Sequence, residues 1–160
     1  MLIADDGARL RAVTSLLSYY VTEGPPPRLL GTLLWDDPRL GAEPQMAGGW
    51  YAAPPAAALA AFEQRYVKAF GPMPPRLAPL AGIAYDATAL AAALAGAASY
   101  EPSALQSTQG FAGVAGLFRL TADGVAERAY AVREITAPHG SREIVPAAAA
   151  FPPGLTAAPR

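Results

Sequence analysis

Two short apolar runs, residues 2–4 and 28–34, bracket a stripe of helical period made by Leu10, Val13, Leu16, Leu17 and Tyr20. Neither run alternates with polar residues, which marks a strand covered on both faces. A strand, a helix and a second strand in that order predict a βαβ unit, whose crossover is right-handed by strong general preference. This feature constrains the chain more than any other, because it demands a parallel sheet with helices against it: an α/β fold. Asp5 or Asp6 is placed to cap the helix, and Gly24-Pro25-Pro26-Pro27 ends it because proline cannot continue a helix.

The remaining elements follow from the same reading. Residues 48–52 form a further strand candidate opened by glycines. Pro54-Pro55 starts a helix in which Leu59, Phe62, Tyr66 and Phe70 share one face, stopped at Gly71. A second helix is expected over 80–95 and a short third over 103–108, with Gly110 as its terminator. Residues 114–120 and 127–135 then read as one hairpin about Thr121-Ala122-Asp123-Gly124, since Asp-Gly between strand-like runs favours the tight turn. Residues 138–160, rich in alanine and proline, are expected to be a disordered tail. There is no internal repeat.

Composition removes several functions. Twelve Lys and Arg against 13 Asp and Glu leave a net charge of −1, with no basic cluster to displace phosphate counterions from nucleic acid or to hold an anionic membrane. The absence of cysteine excludes disulfides, thiolate nucleophiles and a lipidated N-terminal cysteine. Hydrophobic residues make up 52%, but about a quarter of the chain is alanine, so the core must rest on a small set of large side chains. No apolar run is expected to reach the roughly 20 residues of a membrane helix. The start of the chain lacks the basic, apolar and small-residue zones of a secretory signal.

The residues that could carry chemistry are few. Asp5-Asp6 and Asp36-Asp37 each follow an expected strand, where open α/β sheets place ligand loops. The same aspartates also suit a helix cap and a turn. His139 is the lone histidine and lies between Pro138 and Gly140, a loop setting. Phosphate-loop, nucleophile-elbow, zinc-protease and dinucleotide fingerprints are absent, so neither a cofactor nor a metal is expected. Gly110, Gly113 and Gly116 precede a strand and suit close backbone packing. Trp35, Trp50, Tyr51 and Tyr85 could wall a pocket. A small hydrolase built on Asp5, Asp6, Asp36 or Asp37 is the rival reading, though no nucleophile or histidine accompanies those carboxylates.

The order of "LIADDGARLRAVTSLLSYY", "LLGTLLWDD", "GGWYAAP", the Phe62, Tyr66, Phe70, Gly71 helix, "AYDA" at 84–87 and the Gly113-to-Gly124 pattern resembles the second half of type I periplasmic binding proteins. These are the Leu/Ile/Val-binding-like solute receptors, and the similarity is greatest to their penicillin-binding-protein-activator branch. The resemblance covers residues 2–135. It implies a portion of a two-lobed α/β fold, with 1–47 and 113–137 in one lobe and 48–112 in the other. It also implies a periplasmic, non-enzymatic receptor for an ABC-type transporter, binding a small, polar, amino-acid-like ligand, or alternatively a regulator that contacts a peptidoglycan synthase. The expected site lies on the loops after the first two strands, with Asp5, Asp6, Trp35 and Asp36, and Tyr85 from the opposite lobe. Family members carry a signal peptide and a first part that precede the residue aligned with Met1. The chain is therefore expected to be a truncated portion with unpaired edges at 2–4 and 29–34, marginally stable and prone to self-association through them.

Overall fold

The computed structural model describes residues 1–20, 24–25, 27–74, 77–96 and 100–151. Its elements are β1 (Leu2–Ile3), α1 (Gly7–Tyr20), β2 (Leu30–Gly31), β3 (Trp50–Ala53), α2 (Ala56–Phe70), α3 (Ala78–Gly96), α4 (Pro102–Leu105), β4 (Phe111–Gly113), β5 (Gly116–Leu120), β6 (Ala126–Arg128), β7 (Ala131–Ile135) and β8 (Ser141–Val145). Three short 3-10 turns, Leu33–Trp35, Pro38–Ala42 and Pro44–Met46, link β2 to β3. The chain divides into two compact units. The first holds Met1–Ala53 and Ala131–Pro146; the second holds Pro54–Tyr130 with the chain from Ala147 onward.

The first unit is a five-stranded mixed sheet in the order β1-β2-β3-β7-β8. The two strands of the sequence-derived crossover, β1 and β2, are parallel, and β3 continues the parallel order, with Leu2 opposite Leu30 and Leu30 opposite Trp50. β7 and β8 add antiparallel strands at the far side. One face carries the core: Ile3, Tyr51, Ala53 and Ile135 meet Leu10 of α1, with Trp35, Leu40 and Met46 from the 3-10 turns. Thr14 is buried among them because its hydroxyl donates back to the Leu10 carbonyl at 3.0 Å, so no polar atom is stranded.

The indole of Trp35 is the largest fully buried side chain. It lies against the backbone of β2, and a Cβ at Gly31 would fall on the indole ring itself; one at Gly49 would stand 3.1 Å from Cζ3. Two glycines thus make the slot that a tryptophan needs to pack flat on a strand.

The opposite face is not covered as the apolar runs suggest. Leu2 is 67% exposed and Leu30 40%. β2 is flanked by β1 and β3, so the run 29–34 is not a sheet edge; the edges among the described residues are β1 and β8.

The second unit packs α2 and α3 with the three-stranded antiparallel meander β4-β5-β6. Leu59 and Phe62 are the buried residues of α2, and Gly82 of α3 brings the helix backbone close to Leu59, Ala115 and Val114. Asp86, buried at the middle of α3, accepts the backbone N–H groups of Val114 at 2.7 Å and Ala115 at 3.0 Å and pairs with Arg128 at 3.6 Å. Charge-assisted bonds to peptide N–H groups satisfy this carboxylate where water cannot reach. A Cβ at Gly113 would strike it, which is why that position is glycine.

Three expectations are corrected. The return strand of the hairpin is two strands: β6 pairs with β5 and β7 with β3, in different sheets, and the break falls at Ala129-Tyr130. Continuous strand propensity cannot disclose a change of partner. The stretch expected to be disordered from residue 138 holds β8, paired along β7 from Ile135 opposite Ser141 to Val132 opposite Val145. Ser-Arg-Glu-Ile-Val is strand-competent, and the left-handed Gly140 closes the turn, with Thr136 N–H donating to its carbonyl at 3.2 Å; residues 152–160 lie outside those described. Finally, α3 is 19 residues long with a mean hydropathy of 1.4, enough by length and composition to cross a membrane. Alanine supplies most of that value, and the helix has the ion-paired Asp86 at its centre.

The Trp35 slot gives a test. Trp35→Ala should cost about 3–5 kcal/mol in denaturant unfolding, the range for deleting a buried aromatic. Gly31→Ala should be strongly destabilising in the natural chain but close to neutral in the Trp35→Ala background, because the clash vanishes with the indole. Equal effects of Gly31→Ala in both backgrounds would contradict this packing.

Candidate functional site

The loops at the carboxyl ends of β1 and β2 come together through one bond. Thr32 caps the 3-10 turn after β2, its hydroxyl accepting the Leu34 N–H at 3.4 Å and its carbonyl the Trp35 N–H at 2.9 Å. That turn rotates Trp35 into the core, where its indole N–H donates to the Asp5 carbonyl at 3.1 Å. The loop after β1 is thereby fixed to the loop after β2. The Asp5 carboxylate turns back to accept the Asp6 N–H at 2.9 Å, and the Asp6 carbonyl accepts the Leu10 N–H at 3.2 Å in the first turn of α1. Both aspartates remain half-exposed.

The second acidic pair splits in role. Asp37 accepts the Arg39 N–H at 3.0 Å and holds the Arg39 guanidinium on both oxygens, as a turn former with its own counter-ion. Asp36 turns inward. Its Oδ1 accepts the Tyr51 hydroxyl at 2.9 Å and Nη1 of Arg133 at 2.8 Å. The Tyr51 oxygen in turn accepts the Ser141 hydroxyl at 2.7 Å. Among the described residues no donor faces Asp36 Oδ2, so the carboxylate is held rigidly by one oxygen and offers the other. Burial pushes the Tyr51 hydroxyl above the ordinary tyrosine range, with the Asp36 charge adding to the rise and the Ser141 bond and Arg133 charge opposing it.

Of the residues expected at the site, Asp5, Asp6 and Asp36 stand together at these loop ends. Trp35 does not line an open pocket: it is completely buried, because the 3-10 turn aims it under the sheet. Its role is to position Asp5 and Asp36. Tyr85 belongs to the second unit, on α3, half-exposed against Phe62 with ring centroids 5.3 Å apart. There it lines a cavity of about 470 Å³ with Asp86, Leu90, Phe111 and Phe118.

Arg133 and Ser141 were not singled out from the sequence, and Tyr51 only as an aromatic. A signal existed for Arg133: it shares the inward phase of β7 with Ala131 and Ile135, and a cation on a buried face calls for a carboxylate. Ser141 lay hidden in the stretch read as tail. On the other sheet face Trp50 donates its indole N–H to Glu134 at 3.1 Å, beneath the Arg28 guanidinium at 4.5 Å, while Arg142 pairs with Glu134 at 3.1 Å. The Trp50 bond, first, and Arg142 hold the Glu134 carboxyl below its usual range.

The Tyr51 cluster predicts a pH dependence. An unfolded tyrosine ionises near its ordinary value of 10.0, whereas the folded Tyr51 keeps its proton to higher pH. The folded state then binds more protons than the unfolded one, so stability present below pH 10 is lost as pH rises further. Chemical denaturation from pH 9 to 12 should show a steeper decline for the natural chain than for Tyr51→Phe; parallel declines would contradict the assignment.

No protein-family model and no curated protein matches the sequence. Solved structures do. A branched-chain amino acid ABC transporter candidate from Rhodospirillum rubrum superposes with a TM-score of 0.64 at 20% identity, over 84% of this chain and 42% of that one. The leucine binding protein LivK of Thermotoga maritima gives 0.58 at 17% identity, over 91% and 43%. The C-domain of LpoA from Haemophilus influenzae, a regulator of PBP1A, gives 0.60 at 15% identity, over 90% and 44%. The chain spans less than half the length of each of these structures. At these identities the likeness is one of fold, and the chain carries the fold of a portion of a type I periplasmic binding protein.

Proposed function

We propose that this chain is the non-enzymatic ligand-binding portion of a periplasmic solute receptor, and that it takes a small, polar, amino-acid-like molecule at the loops following β1 and β2. The observation that carries the reading is the Asp36 carboxylate, anchored on Oδ1 by Tyr51 and Arg133 and open on Oδ2, at the carboxyl end of a parallel strand. Open α/β sheets place their ligands at that end. Asp5, tied to the same place through Trp35, supplies a second carboxylate, and Asp6 the turn into α1. The fold supports the reading, since structures that share it are described as leucine-binding and as complexed with benzoate. Pre-anchored acceptors favour binding because little ordering is left to the ligand. Among the described residues no nucleophile–base pair stands at these loops, so we assign the carboxylates to recognition and not to hydrolysis.

A second reading is favoured by the likeness to the LpoA C-domain: the same fold contacting a peptidoglycan synthase, with no small ligand. Thermal unfolding against a panel of L-amino acids and aromatic carboxylates separates the two. A saturable rise in Tm with one compound, weakened about tenfold or more in Asp5→Asn and in Asp36→Asn, is the expected result. Unchanged affinity in both variants would remove the site, and stabilisation by no compound together with specific capture of a synthase would replace the first reading with the second.

A further inference from the structure

We infer that Arg133 sets the charge class of the ligand group that Asp36 receives. This inference rests on the proposed binding site at the β1 and β2 loops. A carboxylate at a ligand loop invites the expectation of an ammonium partner. Here that charge is already met: Nη1 of Arg133 stands 2.8 Å from Asp36 Oδ1, and both side chains are about four-fifths buried, at 18% and 20% exposure. A pair so enclosed is screened little by solvent, so its net charge toward an incoming group is close to zero. What remains is the geometry of Oδ2, a fixed acceptor lone pair. Such an atom suits a neutral donor, a hydroxyl or an amide N–H, at least as well as a cation.

The local structure holds Arg133 to this task. Its Cα lies opposite Tyr51 on β3 and Glu143 on β8, so it occupies an interior strand of the sheet and not an edge. Its guanidinium lies near the Tyr51 ring, 5.9 Å from the centroid, and its Nε is buried with no hydrogen-bond acceptor. A buried guanidinium nitrogen left without an acceptor is costly, so the arginine is not present for its own hydrogen-bond economy. Its paired partner is Asp36, and the effect of that pairing is to cancel the charge at the loop. Asp5, which has no cationic partner among the described residues, then remains the place where a positive ligand group is read.

The test compares two probes that differ only in the group concerned, L-leucine and 2-hydroxy-4-methylpentanoate, by calorimetric titration of the full chain. The natural chain, Asp36→Asn, Arg133→Gln and the double variant Asp36→Asn/Arg133→Gln are measured, with thermal melts to establish that each variant is folded. Arg133→Gln should shift the ratio of affinities about tenfold or more toward the amine, because the bared carboxylate now favours a cation, and Asp36→Asn should shift it the other way, because the bared guanidinium repels one. The double variant removes both charges and should weaken both probes while leaving their ratio within about threefold of the natural chain's, since the intact pair presents no net charge to the ligand. A tenfold loss of amine preference in the double variant would overturn the inference while leaving the site intact, and this comparison holds even if a single variant fails to fold. Failure of both probes to bind the natural chain, where the amino-acid panel also fails, would overturn the site and this inference with it.

Discussion

The burial of one indole organises the first unit. Trp35 leaves the carboxyl end of β2 on a single 3-10 turn, lies on the bare backbone of Gly31, and ends with its N–H on the Asp5 carbonyl. In an alanine-rich chain it contributes more buried area than any residue near it, and at about 25 cal/mol per Å² of apolar surface such a side chain dominates local stability. Its single polar atom joins the loops after β1 and β2. The geometry of the carboxylates at those loops is therefore a consequence of core packing, and Asp36 faces the sheet because its chain neighbour is drawn underneath.

Each unit pairs a carboxylate with an arginine, Asp86 fully buried and Asp36 partly buried, and the two are satisfied in different ways. Asp86 is enclosed by the turn between β4 and β5, two peptide N–H groups and the Arg128 guanidinium, so that both of its oxygens are engaged. It is a clamp that fixes α3 to the meander. Asp36 is engaged on one oxygen by a phenol and an arginine, and among the described residues no donor meets the other. Breaking a buried pair by removing one partner is costly in either place. The difference lies in what is left over: nothing at Asp86, an oriented acceptor at Asp36. That contrast distinguishes the structural clamp at Asp86 from the acceptor that the proposed site places at Asp36 more firmly than sequence position does.

Much of the local architecture was legible because period and punctuation agree. α1 runs from Gly7 to Tyr20 as its stripe dictates, α2 stops at Phe70 before a left-handed Gly71, and the Asp-Gly turn after β5 closes with Thr121 N–H on the Val125 carbonyl. The losses have physical causes. A strand's propensity says nothing of its partner, so the divorce of β6 from β7 at Ala129-Tyr130 was invisible. Composition misled over Ser141–Val145, where proline and alanine on either side masked five residues able to pair. At the site, the carboxylates were legible from their place after strands, but their state was not. Asp36 is met by Tyr51 and Arg133, fifteen and 97 residues away along the chain, and no spacing rule connects them.

The same distinction governs the apolar content. Hydropathy sums methyl groups, whereas stability follows the area that large side chains remove from water. α3 shows how far the two can part: its alanines give it the hydropathy of a membrane span, yet only 22% of that stretch is buried, and its buried residues are Ala78, Pro79, Gly82 and Asp86. It is held by a charged side chain and by close backbone approach, not by a stripe of leucines. In the first unit the order is reversed, with Trp35, Leu10, Met46 and Ile135 fully enclosed while Leu2 and Leu30 stay open to solvent on the other sheet face. A chain this rich in alanine is positioned by its few large residues and its paired charges, and the loops that carry Asp5 and Asp36 sit where those two kinds of anchor meet.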